Sequence, residues 1–164
     1  MYLVFLYLHP MNNSLFDAIR SADLETVSKI LNAHPELVDI KDPRGSTPLL
    51  LATYYGHKDI SNAILEHHPN VNAQDGSGNT PLMGVCFKGY PEIAKLLIDA
   101  GADVNAVNFN KATALIYAAT FAQSEIAKLL IEKGADKNHK DERGHTAYDH
   151  AKMQGVTSLM KILS

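Results

Sequence analysis

The chain has 164 residues, 46% hydrophobic and 20% charged, which is the composition of a globular protein long enough to bury a core without covalent staples. Its net charge of −3, with the histidines neutral, gives no electrostatic footprint for nucleic acid. The single cysteine, Cys86, excludes an internal disulfide framework and suits a reducing compartment, so a cytoplasmic location is expected.

The chain opens on MYLVFLYLHP, in which eight apolar residues run in succession. A bilayer span needs about 20. No Lys or Arg precedes the run and no small-residue cleavage site follows it, as an export signal would require. Residues 1–12 are read as a separate apolar segment with three open roles. These are an export or anchoring element, a strip folded over the apolar end of the domain, or sequence upstream of a start at Met11.

From residue 13 onward the chain repeats itself. Val27, Ile30 and Leu31 recur as Ile60/Ala63/Ile64, Ile93/Leu96/Leu97, Ile126/Leu129/Leu130 and Leu159/Ile162/Leu163, at a constant step of 33 residues. The fragments TPLL, TPLM, TALI and TAYD begin at Thr47, Thr80, Thr113 and Thr146, on the same step. Two independent registers with one period mark a repeat array.

Each unit has a physical reading. Thr47 and Pro48 form a helix N-cap and first-turn proline. Leu49, Ala52 and Thr53 then give a short helix one narrow buried stripe, and Gly56 ends it. Ile60, Ala63 and Ile64 give a second helix its own buried face. Later copies close that helix with Gly101 and Gly134. Asp42-Pro43-Arg44-Gly45, Asp75-Gly76-Ser77-Gly78 and Asp141-Glu142-Arg143-Gly144 are turn sequences. A unit is therefore helix, turn, helix and protruding β-turn, and none can bury its faces alone.

The stretch NFNKATALIYAATF, Asn108 to Phe121, departs from its neighbours. Ala114 replaces the proline and Lys111 the turn glycine. Either Lys111 holds a positive φ at about 1–3 kcal/mol, or the turn rearranges with Asn110 in the left-handed place. In both cases this tip is expected to differ in shape from the others and to carry Phe109 and Lys111 outward.

The motif T-P-L-x-x-A-x-x-x-G at Thr47–Gly56, and G-A-D-V-N-A at Gly101–Ala106, resemble those of the ankyrin-repeat family over nearly all of residues 13–164. The resemblance implies an all-α solenoid of stacked helix-turn-helix units with protruding β-turn or hairpin loops. It implies about five repeats, at 13–46, 47–79, 80–112, 113–145 and 146–164. The first lacks the Thr-Pro start, and its first helix is free to slide by one residue against the others. The last stops after its second helix. Both are expected to be caps, with Arg20, Asp23 and Glu25 on the outer side of one and Lys152 and Lys161 on that of the other.

Residues for chemistry are sparse. His67 and His68 are adjacent, and His139, His145 and His150 are spaced by six and five, so neither set shares a helical face and no metal site is expected. Gly76-Ser77-Gly78 lacks the third glycine and the lysine of a phosphate cradle. Cys86 occupies a small-residue position where two helices pack, as a buried filler rather than a nucleophile. No catalytic grouping or cofactor fingerprint is readable, so a non-catalytic chain with no cofactor and no small-molecule substrate is expected. His57 matches a histidine common in the family and is read as structural. Asn105 is read as holding its turn, with the asparagine hydroxylation seen in such repeats as the alternative.

What the resemblance implies about partners is a concave groove lined by turn tips and first helices, on which another protein binds. Carried onto this chain, the free helix positions are Tyr54, Tyr55, Phe87, Lys88, Thr120, Phe121, Met153 and Gln154. The tip positions are Pro43, Arg44 and Ser46, then Gly76, Ser77 and Asn79. Next come Phe109, Asn110, Lys111 and Ala112, and finally Glu142, Arg143 and His145. Five aromatics, Tyr54, Tyr55, Phe87, Phe109 and Phe121, thus gather in the central units. Burying a Phe-sized ring on binding is worth about 1.5–3 kcal/mol. Where the family has histidine after T-P-L, this chain has Leu50, Met83, Ile116 and Asp149, which either thickens the core or extends the groove. The implied function is a protein–protein interaction scaffold or adaptor, a monomer binding an unidentified protein through units two to four. An inhibitor that occludes a partner enzyme is one alternative. An exported or membrane-associated protein using residues 1–10 is the other.

Overall fold

A computed structural model describes the backbone of residues 2–164 and the side chains of residues 11–164. The roles open to residues 1–10 therefore lie outside the described side chains. Among the described residues there are ten α-helices, a single 3-10 turn at Pro35–Leu37, and no strand. The helices form five consecutive pairs: α1 (Tyr2–Arg20) with α2 (Leu24–Ala33), α3 (Pro48–Tyr54) with α4 (Lys58–Leu65), α5 (Pro81–Lys88) with α6 (Pro91–Asp99), α7 (Ala114–Thr120) with α8 (Ser124–Glu132), and α9 (Ala147–Met153) with α10 (Thr157–Leu163). Odd-numbered helices neighbour one another in one layer and even-numbered helices in a second, so the architecture is an all-α solenoid. The helix α1 runs unbroken across residue 12. Among the described residues no helix is long and apolar enough to cross a membrane.

Local chemistry sets each helix start. The hydroxyls of Thr47, Thr80, Thr113 and Thr146 accept the amides of Leu50, Met83, Ile116 and Asp149 at 3.3–3.4 Å. Thr113 does so without a following proline, so the loss at Ala114 leaves the cap intact. A left-handed residue closes each first helix: Ala22, Gly56, Gly89, Ala122 and Gly155. The first step in that series is 34 residues and the rest are 33, so the first helix of the first unit is displaced by one residue, as the sequence allowed.

The core runs between the two layers without interruption, through Leu15, Ile19, Leu49, Ile64, Leu82, Leu97, Leu115 and Leu130. The second-helix stripe differs in detail from the apolar triplets. Ala63, Leu96 and Leu129 are only half-buried, whereas Ser61, Ala94 and Ala127 are fully enclosed. In these three helices the side chain just after the first apolar residue is small and enclosed, while the middle residue of the apolar triplet is left partly exposed. Ser61 survives burial because its hydroxyl donates to the His57 carbonyl at 2.8 Å. Leu50, Met83 and Ile116 are buried, so replacing histidine after T-P-L thickens the core. Cys86 is fully buried, and desolvation pushes its thiol far above the ordinary range, as suits a filler.

Adjacent units are stitched at both edges. At the base, Asp39, Asn72 and Asn105 accept the amides of Asn70, Asp103 and Asp136 at 2.8–2.9 Å. Asn105 also donates to the Gly134 carbonyl at 3.1 Å, so it ties its own turn to the next. At the tips, the carbonyls of Arg44, Ser77 and Asn110 accept the amides of Gly76, Phe109 and Glu142 at 2.9–3.2 Å. That ladder explains Gly78 beyond its φ of +80°: a Cβ there would stand 2.8 Å from the Phe109 amide nitrogen.

The tip at Asn108 corrects one expectation. Lys111 takes the left-handed place, with φ +57°, and Asn110 does not. The turn does not change shape. Asn108 Oδ1 accepts the amides of Asn110 and Ala112 at 3.0 and 2.9 Å, as Asp42 Oδ1 accepts those of Arg44 and Ser46. The side-chain oxygen at the first position dictates the turn, and lysine tolerates the φ that results.

Candidate partner-binding groove

One face of the odd-numbered layer, together with the tips, forms the groove. The 33-residue step stacks positions into columns along it. Arg20, Tyr54, Phe87, Thr120 and Met153 make one column, and Tyr55, Lys88, Phe121 and Gln154 make the next. Arg20 belongs to this face and not to the outer side of the first cap. Its guanidinium lies 3.6 Å from Asp42 and lines the same hollow as Tyr54. The one-residue displacement of α1 puts it there.

The rings meet across the units. Tyr54 stacks on Phe87 with centroids 6.3 Å apart and planes at 7°. Phe87 meets Phe121 at 86° with centroids 4.6 Å apart, and Phe121 lies 6.1 Å from Tyr117. Tyr55 packs edge-on against Tyr54 at 5.8 Å. Lys88 Nζ stands 5.0 Å over the Tyr54 ring, a cation–π distance. Tyr54, Tyr55, Phe87 and Phe121 remain 37–45% exposed despite these contacts. They line a hollow of about 900 Å³ closed at its other side by the tips at Arg44 and Ser77.

A second hollow of about 250 Å³ follows, lined by Asn110, Ala112, Thr120, Phe121, Arg143 and His150 among others. Between the two lies a polar bridge. Asn108 donates through Nδ2 to Asn79 Oδ1 at 2.9 Å and to the Tyr117 hydroxyl at 3.2 Å. The Tyr117 hydroxyl in turn donates to Asn79 Oδ1 at 3.0 Å. Asn108 is buried, and burial pushes the Tyr117 hydroxyl pKa up against the opposing Asn108 hydrogen bond.

A family model described as ankyrin repeats matches residues 15–108, 68–141 and 101–164, in 3 copies. The chain belongs to the ankyrin-repeat family. Members of this family are generally protein–protein interaction modules and typically non-catalytic.

Within the ankyrin array, the candidate residues fall into three groups. Arg44, Tyr54, Tyr55, Phe87 and Phe121 line the larger hollow, and Lys88 covers its Tyr54 wall. Asn110, Thr120, Phe121 and Arg143 line the smaller one. Phe109, Lys111 and Met153 line neither: Phe109 is 70% exposed on its tip, over Gly78, and Met153 is 59% exposed at the end of α9. Ala112, expected among the free tip positions, is buried. His57 stands at the N-cap position of α4 without a side-chain capping bond, lies against the Tyr55 ring with centroids 5.8 Å apart, and buries its Nε2 without a hydrogen-bond partner among the described residues.

Tyr117 and His150 are groove residues that sequence reasoning missed. Both occupy the helix position filled by Leu51 and Gly84 in the other units. Leucine, glycine, tyrosine and histidine at one register cannot all serve the same packing, and that variation was the available clue. His150 also comes close to His145, a proximity that the spacing of the histidines did not reveal: its ring lies 5.7 Å from that of His145, because the tip folds back over α9.

Proposed function

We propose that this protein is a non-catalytic adaptor whose concave groove holds an extended, acidic segment of a partner protein. A bulky apolar side chain of that segment rests on the Tyr54, Phe87 and Phe121 rings. The observation that carries the reading is the pairing of one continuous exposed aromatic ladder with cations that have no acid of their own. Arg44, Lys88, Lys111 and Arg143 take part in no ion pair among the described residues. Most of the groove carboxylates differ in that respect: those of Asp42, Asp75 and Asp141 are engaged by amides of their own tips, which leaves Glu142, exposed beside Arg143, as the acid on the wall of the smaller hollow. A contiguous apolar patch on a folded chain marks an interaction site, and rigid rings bordered by polar groups are the usual hot-spot arrangement. Cations at the rim select acidic partners and speed their arrival more than they add affinity.

The test is selection of peptides from a random displayed library on the full chain, followed by affinity measurement with the winners. Acidic sequences with a central aromatic or aliphatic residue are expected. Phe87→Ala and Phe121→Ala should each weaken them at least tenfold, about 1.4 kcal/mol, with circular dichroism unchanged. Selected peptides that bind all groove variants as well as the parent would rule the reading out.

A further inference from the structure

At the end of the groove, and independent of which partner it binds, we propose that Asp141, His145 and His150 form a binding site for a zinc-like divalent cation at the last tip. Each offers one donor atom, and the three donors lie within 4.8 Å of one another. Oδ2 of Asp141 is 2.8 Å from Nε2 of His150. The rings of His145 and His150 stand at 88° to each other with centroids 5.7 Å apart.

Two of the three ligands, Asp141 and His150, are held before any ion arrives. Oδ1 of Asp141 accepts the amides of Arg143 and His145 at 2.9 and 3.0 Å, which fixes the carboxylate and leaves Oδ2 facing the imidazoles. His150 stands midway along α9, one residue beyond Asp149, whose reciprocal capping box with Thr146 locks the start of that helix. The side chains of His150 and Asp141 are only 17% and 9% exposed, so little rotamer freedom is left to lose. Hydrogen bonds from tip amides to a ligating carboxylate are the supporting contacts that metal sites depend on.

The donor set names the ion class. Two imidazoles and one carboxylate suit Zn²⁺ and its borderline neighbours Co²⁺, Ni²⁺ and Cu²⁺, whereas Ca²⁺ and Mg²⁺ require oxygen donors. Tetrahedral donors on bonds of about 2.0–2.1 Å stand about 3.3 Å apart. The Asp141–His150 pair must therefore open slightly and exchange its hydrogen bond for two metal bonds, while His145 moves in. Water in the adjoining hollow completes the coordination, since Asp141 and His150 line that hollow.

The repeat pattern makes the cluster specific to this unit. Positions equivalent to His145 are Ser46, Asn79 and Ala112, and those equivalent to His150 are Leu51, Gly84 and Tyr117. The last unit alone places imidazoles at both registers, beside the turn aspartate.

The experiment uses the full chain stripped with a chelator, titrated with Zn²⁺ against a chromophoric competitor and with Co²⁺ by visible absorption. One equivalent of Zn²⁺ should bind, and His145→Gln and His150→Gln should each weaken it about tenfold or more. His67→Gln with His68→Gln should leave the affinity unchanged, and circular dichroism should show each variant folded. His145 is on the tip rather than in a helix, so its variant tests the site even if His150→Gln perturbs α9. Absence of Zn²⁺ binding, or binding that survives His145→Gln and His150→Gln alike, overturns the proposal.

Discussion

Phe87 and Phe121 meet at 86° with ring centroids 4.6 Å apart, although they stand in different columns of the array, one in the last turn of α5 and the other just after α7. The contact arises because Phe121 shares its register with Lys88 while Phe87 shares its own with Tyr54. Each ring thereby reaches diagonally across the seam between α5 and α7. Both remain more than a third exposed, at 37% and 39%.

Rings in that position add little to folding. Phe87→Ala and Phe121→Ala should each lower unfolding free energy by about 1 kcal/mol, with a coupling of about 0.5–1.5 kcal/mol in the double variant. Leu97→Ala, at a fully buried site, should cost about 2–5 kcal/mol. Urea unfolding monitored by far-ultraviolet circular dichroism separates the two classes. Rings that cost as much as Leu97 belong to the core, and the adaptor reading would lose its surface.

Lys111 holds φ +57° where glycine stands in the equivalent tips, and Ala122 holds φ +57° where Gly56, Gly89 and Gly155 stand. An L-residue in that region is disfavoured by about 1–2 kcal/mol. Lys111→Gly and Ala122→Gly should therefore each stabilise the chain, by about 1 kcal/mol after allowing for the greater freedom of glycine when unfolded. The hydrogen bonds of the Asn108 turn do not involve the lysine side chain, so they survive the change. A lower unfolding midpoint in both variants would contradict this.

Asn108 replaces the aspartate of the other three tips, and the groove supplies the reason. Its amide donates to Asn79 and to Tyr117 while its oxygen serves the turn. Asn108→Asp keeps the turn acceptor but sets a carboxylate oxygen against Asn79 Oδ1, in a buried place. The loss should be about 1–3 kcal/mol at neutral pH, and it should shrink as acid restores a donor. Tyr117→Phe, which removes a single hydroxyl, should cost about 1 kcal/mol. Thermal unfolding of the two variants across pH measures both, and an Asn108→Asp chain as stable as the parent at neutral pH would count against the bridge.

The features visible in the sequence were those that a single residue type controls. Threonine caps, closing glycines and turn aspartates are backbone requirements, so the 33-residue step located them directly. Apolar spacing placed the outer members of each second-helix stripe but not Ala94 and Ala127, because the seam between stacked helices is set by neighbours one unit away. The same limit applies to the groove. That Tyr54 and Phe87 share a column follows from the period, whereas the Phe87–Phe121 diagonal, the Asn79–Asn108–Tyr117 bridge and the placement of Arg20 depend on how units rotate against each other. The His145–His150 approach needed the tip folded over α9, which no linear spacing encodes.

Acid should loosen the last helix pair before the centre. Asp149 accepts the amide and hydroxyl of Thr146 at 2.9 and 2.8 Å, and these bonds hold its carboxyl below the ordinary range against a smaller effect of burial. At Asp141 burial opposes the charge, but the amides of His145 and Arg143 and the His150 ring outweigh it, again holding the carboxyl low. A carboxyl whose folded pKa is depressed adds stability that is complete above its unfolded pKa and lost as pH falls through the folded value. Both groups therefore stabilise the tip and the α9 start throughout neutral conditions and cease to do so below the ordinary carboxylate range. Amide exchange, corrected for the intrinsic effect of pH, should rise in α9 and α10 on acidification while α7 and α8 stay protected. Asp149→Asn should already weaken the last pair at neutral pH and flatten its acid response. Acid loosening spread evenly over the array, or unaltered in Asp149→Asn, would show that these two carboxylates do not control that end.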